Sequence, residues 1–102
     1  MQSILLNDIE DRTLAMAEGD YVHFKTARPV LGTFYERNVS FAELSTIVGH
    51  LSNLGLIYWR IRERGRWYFR SRASQALQRS CTAGFIASKA GTSYLRQPRH
   101  VA

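Results

Sequence analysis

From Ile57 to Arg72 the chain alternates with a period of two, and no other stretch narrows its possible folds so far. Odd positions include Trp59, Ile61, Trp67 and Phe69; even positions are Tyr58, Arg60, Arg62, Arg66, Tyr68, Arg70 and Arg72. Successive side chains on a strand point to opposite sides, so this pattern predicts a β-hairpin with an apolar core face and an arginine–tyrosine outer face. Residues facing each other across a hairpin share a face, and that fixes the expected turn. A three-residue loop Glu63-Arg64-Gly65 pairs Arg62 with Arg66, Ile61 with Trp67, Arg60 with Tyr68 and Trp59 with Phe69, and gives Gly65 the left-handed position. A two-residue loop at Arg64-Gly65 would set Arg62 opposite Trp67 and mix the faces.

A helix leads into this hairpin. In NVSFAELSTIVGHLSNLG, Ser40 and Glu43 have the S-x-x-E spacing of a capping box, and Val39 and Leu44 occupy the positions of a hydrophobic staple. The helix is expected from Phe41, with Phe41, Leu44, Ile47 or Val48, Leu51 and Leu54 as its buried stripe and Gly55 as its stop. Ser45, Thr46, Gly49, His50, Ser52 and Asn53 then face outward.

Upstream, Leu5, Leu6, Ile9, Leu14 and Met16 suit a first helix over Ser3 to Ala17, ended by Gly19. DYVHFK alternates as a short strand. Pro29 fits the first turn of a helix running to about Arg37 that buries Val30, Leu31 and Phe34. Downstream, SRASQALQRSC predicts a short closing helix to about Cys81, with Ala76, Leu77 and Cys81 inward. Residues 82–102 have no sustained period and predict a mobile basic tail, in which Phe85, Ile86, Tyr94 and Leu95 offer contacts to a partner or second subunit. The expected organisation is one domain over residues 1–80 and a tail over 81–102.

The order helix, short strand, helix, helix, two-stranded hairpin resembles the winged helix-turn-helix domain. HLSNLGLIYWRIRERGRWYFRSR looks like the end of a recognition helix, its apolar-Gly-apolar exit and the wing of small bacterial winged-helix regulators, and the likeness spans roughly Ile4 to Leu77. It implies an α+β fold of order helix-strand-helix-helix-strand-strand, followed by a short helix and the tail. It also implies DNA binding, with the helix Phe41 to Leu54 in a major groove and the wing against the backbone or a neighbouring minor groove. Carried over, the base-reading positions fall on Ser45, Thr46, Gly49, His50 and Asn53. This helix departs from the family's habit: that face has no arginine, lysine or glutamine, and Glu43 near its start would repel phosphate. The main contact therefore passes to the wing, with Arg60, Arg62, Arg64, Arg66, Arg70 and Arg72 on phosphates and Tyr58 or Tyr68 stacking or hydrogen-bonding beside them.

Charge is distributed in the same sense. The first 36 residues hold six acidic side chains against three basic ones, whereas Arg37 to Ala102 holds eleven basic against two acidic, within a net charge of +6. Such a balance favours an acidic partner without selecting which. Facing Arg62 and Arg66 would also be a like-charge pair that an anion relieves. Double-stranded DNA is the expected partner of a transcriptional regulator, and a second copy of the chain is expected through the first helix or the segment after the wing. The alternative is an interaction module or inhibitor whose basic face meets an acidic protein or blocks a nucleic-acid-binding partner.

Other classes find little support in the residues. Cys81 is the only cysteine, which excludes an intrachain disulfide, and neither His23 nor His100 has a companion at ligand spacing, so no metal or cofactor is expected. No phosphate-cradling glycine loop and no nucleophile signature occurs, and no enzyme is expected. The start MQSILLNDIEDR lacks a basic n-region, and no apolar run approaches the ~20 residues of a membrane helix. A cytoplasmic protein without a membrane partner is the resulting expectation.

Overall fold

A computed structural model of the chain describes residues 5–63, 66–69 and 83–97, with residues 60–63 and 66–69 placed by their backbone. Helix α1 begins at a cap that the apolar periodicity does not reveal. Asn7 Oδ1 accepts the Glu10 N–H at 2.9 Å while Glu10 Oε1 accepts the Asn7 N–H at 3.0 Å, and this reciprocal box starts α1 at Asp8 and not at Ser3. The helix spans Asp8–Met16. Gly19 follows it with φ at 78°, in the region open to glycine.

The strand expected over DYVHFK shrinks to β1, Val22–His23, because helix α2 begins at once and spans Phe24–Tyr35. Pro29 sits inside that helix, not in its first turn. An interior proline forfeits one hydrogen bond and crowds the preceding turn, and what holds the helix through it is the fully buried row Phe24, Ala27 and Leu31 at helical spacing. The expected burial of Val30 and Phe34 does not occur. Both are 53% exposed on the far side of α2, where the Arg12 guanidinium lies 3.5 Å from the Phe34 ring centroid.

Helix α3 spans Phe41–Asn53 as its cap predicts. Ser40 Oγ accepts the Glu43 N–H at 3.0 Å, and Val39 and Leu44 are both buried in the staple positions. The second half of the capping box is replaced, because the Glu43 carboxylate accepts two hydrogen bonds from the Arg37 guanidinium at 2.8 and 2.7 Å. Leu44, Ile47, Val48 and Leu51 are buried, whereas Leu54 at the C-cap is exposed. The exit is a Schellman motif: the Leu56 N–H bonds the Leu51 carbonyl at 3.0 Å, the Gly55 N–H bonds the Ser52 carbonyl at 2.9 Å, and Gly55 takes φ of 76°. Leu56, immediately after, is buried and begins the path into the sheet.

Strands β2 (Ile57–Glu63), β3 (Arg66–Phe69) and β4 (Gly84–Ala87) join β1 in an antiparallel sheet of order β1-β4-β2-β3. Strand β4 corrects the expected mobile tail. Phe85 is fully buried, pairs with Trp59 across the ladder and meets the Phe24 ring edge-on at 5.7 Å. Helix α4, Lys89–Arg96, follows and buries Tyr94. Residues 83–97 lack a long period because their contribution is two short elements, each completed by partners far away in sequence.

The register of β2 and β3 also differs from expectation. Arg60 stands opposite Phe69, Ile61 opposite Tyr68, Arg62 opposite Trp67 and Glu63 opposite Arg66, so two residues and not three separate the paired ends. Parity fails here for a physical reason. Trp59 receives its apolar cross-strand neighbour from β4, which leaves β3 an edge strand whose register need not match the core face of β2. The expected closing helix through Ala76, Leu77 and Cys81 lies outside the described residues.

The described residues thus form an α+β fold of four helices and an antiparallel sheet around one core that includes Leu14, Phe24, Leu31, Leu44, Leu51 and Phe85. No described helix is long and apolar enough to cross a membrane.

Candidate nucleic-acid interface

Helix α3 packs against α1, α2 and β2, and this widens its buried arc beyond a single stripe. Ser45 falls inside that arc, 4% exposed, and its Oγ has no hydrogen-bond partner among the described residues. Its expected role as an outward base-reading residue is therefore corrected. Thr46 is exposed and turns its hydroxyl back onto the Ala42 carbonyl at 3.0 Å. Gly49 is half-buried and Asn53 exposed.

His50 is half exposed and tied inward. Its Nδ1 lies 2.5 Å from Glu10 Oε2, which links α3 to the capping box of α1. Burial pushes the Glu10 carboxyl upward, but the Asn7 N–H, the His50 hydrogen bond and the His50 charge outweigh it, leaving the group below its ordinary value. The Glu43 carboxyl is likewise lowered, mainly by its hydrogen bonds from Arg37, so the acidic residue at the start of α3 is held on a cation.

Strand β2 leaves the α3 exit and places the arginine positions in a row. Tyr58 is 57% exposed and pairs with Ile86; Arg60 stands opposite Gly84 on one side and Phe69 on the other; Arg62 stands two residues on. Arg66 and Tyr68 lie on β3. The Arg62–Arg66 pair does not form, since Arg66 takes the register position opposite Glu63, and the like-charge argument for an anion at that point falls with it. Arg64, Arg70 and Arg72 lie outside the described residues. Trp59 is buried as expected.

Two cations that the hairpin pattern does not single out stand at the α2–α3 turn. Arg28 and Arg37 line an open groove of about 390 Å³ with Pro29, Gly32, Thr33, Asn38 and Val39. The Arg28 Nε donates to the Val39 carbonyl at 3.0 Å, and its guanidinium lies 6.0 Å from the Phe41 ring centroid. Neither belongs to a charge run, and only the fold brings them together. Among the described residues no three His, Cys, Asp or Glu side chains group to hold a metal ion.

No protein-family model, curated protein or solved structure matches this chain.

Proposed function

We propose that this chain is a winged-helix protein that binds duplex DNA, as a transcriptional regulator does, chiefly through the arginine positions of β2, β3 and the loop between them. The observation that carries the reading is the Schellman exit at Gly55, which passes the chain from α3 directly into the arginine-dense strand packed beside it. A helix end and a basic strand pair are thereby adjacent, the arrangement that a groove-and-backbone contact needs. The charge of the half that follows Glu36 agrees with a phosphate partner.

A second reading is favoured by α3 itself, which carries no exposed lysine or arginine. On that reading the basic strands meet an acidic protein. A salt series separates the two. Anisotropy of a labelled duplex should give log K falling with log salt at a slope of about −3.6 for four phosphate contacts, at ~0.9 each. Arg60→Ala/Arg62→Ala, which removes two neighbouring positions of one parity, should reduce that slope by about 1.8. A folded protein that does not bind duplex at low salt rejects the DNA reading.

A further inference from the structure

We infer that the outer face of the sheet, around Tyr58, Ile86, Gly84 and Tyr21, stacks the unpaired bases of single-stranded nucleic acid. An antiparallel sheet with one face on the core normally turns polar residues to water on the other. Here Phe85, on the core side, is fully buried, while the alternate positions of β4 are Gly84 and Ile86. Register places Tyr58 beside Ile86 and Arg60 beside Gly84 on that second side.

Gly84 has a specific reason to be glycine. A Cβ there would stand 2.6 Å from the Tyr21 ring, so the missing side chain lets the ring lie against β4. Tyr21 in turn meets the His23 ring edge-on at 5.3 Å, which steadies it. Tyr21 and Tyr58 thus stand on the same side of the sheet, Tyr21 against Gly84 of β4 and Tyr58 beside Ile86 of the same strand. Tyr58, more than half exposed, offers the larger ring surface.

The occupant follows from charge and shape together. Aromatic rings bordered by arginine positions suit a ligand that carries flat bases and a phosphate chain, and every base has a face that stacks. Duplex DNA keeps its bases stacked on one another and has none to give such a surface. The inference is therefore independent of the duplex reading, and either stands if the other fails.

The test is binding of a labelled oligo(dT) by the full chain, with oligo(rU) alongside to assign the sugar and the duplex as a control. Tyr58→Ala should weaken oligo(dT) about tenfold, the lower part of the stacking range, while Tyr58→Phe stays close to wild type. Tyr58→Ala should weaken the duplex by less than it weakens oligo(dT), because stacked base pairs offer that ring no free base face. Because Tyr58 is exposed, an unchanged circular dichroism melt is expected and certifies the fold. No binding of either oligonucleotide, equal binding by wild type and Tyr58→Ala, or an equal loss on the duplex would overturn the inference. So would binding of poly-glutamate that Tyr58→Ala abolishes while oligo(dT) binding persists, since that gives the face to an acidic protein.

Discussion

Helix α3 and the outer side of the sheet both attract attention as nucleic-acid surfaces, and they are built in opposite ways. Three polar side chains of α3 are turned to the protein itself: Ser45 is buried without a hydrogen-bond partner among the described residues, Thr46 bonds Ala42, and His50 holds Glu10. The sheet does the reverse with its aromatics. It buries Trp59 and Phe85 on one side and leaves Tyr58 more than half exposed on the other. Polar composition alone does not make a contact surface, because a hydroxyl or imidazole with an internal partner has little left to offer a ligand.

The joint between the two regions gives the largest expected effect. Ser88 Oγ donates to the Gly55 carbonyl at 2.6 Å and accepts the Gly91 N–H at 3.1 Å, while the Ser88 N–H bonds the Leu56 carbonyl at 2.9 Å. Gly91 then lies so close that a Cβ would stand 2.0 Å from the Leu56 carbonyl oxygen and 3.1 Å from Leu14 Cδ1. Gly91→Ala must push α4 off the α3 exit, and overpacking of that kind costs about 3 kcal/mol. Urea unfolding should show a lower midpoint, and duplex and oligo(dT) binding should fall together. A midpoint unchanged from wild type would mean that α4 does not fasten the two regions.

A smaller effect probes the inward commitment of α3. Glu10→Gln keeps an acceptor for the Asn7 N–H but weakens the contact with His50, at a cost of about 1 kcal/mol near neutral pH, held low because solvent reaches His50. The Glu10 carboxyl is lowered in the folded state, so its stabilisation is present above the unfolded-state pKa and is lost as pH falls through the folded value. The stability gap between wild type and variant, measured at neutral pH, should thus shrink when it is measured again at acid pH, where the Glu10 carboxyl is protonated. A gap of the same size at both pH values would remove the ionised carboxylate from the account.

What the sequence conveys and what it conceals divide along contact range. The α3 cap, its staple and its glycine exit are legible because Ser40, Glu43, Leu44 and Gly55 act within a few residues of one another. The Asn7–Glu10 box was equally local, and N-x-x-E spacing ahead of the apolar run is the signal that finds it. Strand β4 is another matter. Phe85 and Ile86 read as isolated apolar residues until β1 and β2 arrive on either side. The hairpin register depended on the same hidden strand, since parity assumes that Trp59 takes its neighbour from β3. Among the candidate site residues, Thr46 and Asn53 are exposed as expected, whereas Ser45 turns inward because three elements, not one, pack on α3. The pairing of Arg28 with Arg37 at one groove was beyond a linear reading altogether.

The smallest expected effect decides whether α3 enters a groove at all. Thr46 is exposed and its hydroxyl serves only a bond to the preceding turn, so Thr46→Arg should fold normally, arginine being a good helix former. With α3 lodged in a major groove, the new guanidinium reaches a phosphate or a guanine edge. The salt slope for duplex binding should then steepen by about 0.9 if it takes a phosphate, and preference among sequences should sharpen if it takes a base. With the arginine strands alone on the backbone and α3 turned away, slope and preference both stay at wild-type values. An unchanged slope together with unchanged preference would place the whole nucleic-acid contact on the sheet, and the helix that most resembles a reader of bases would be a support for the strands that follow it.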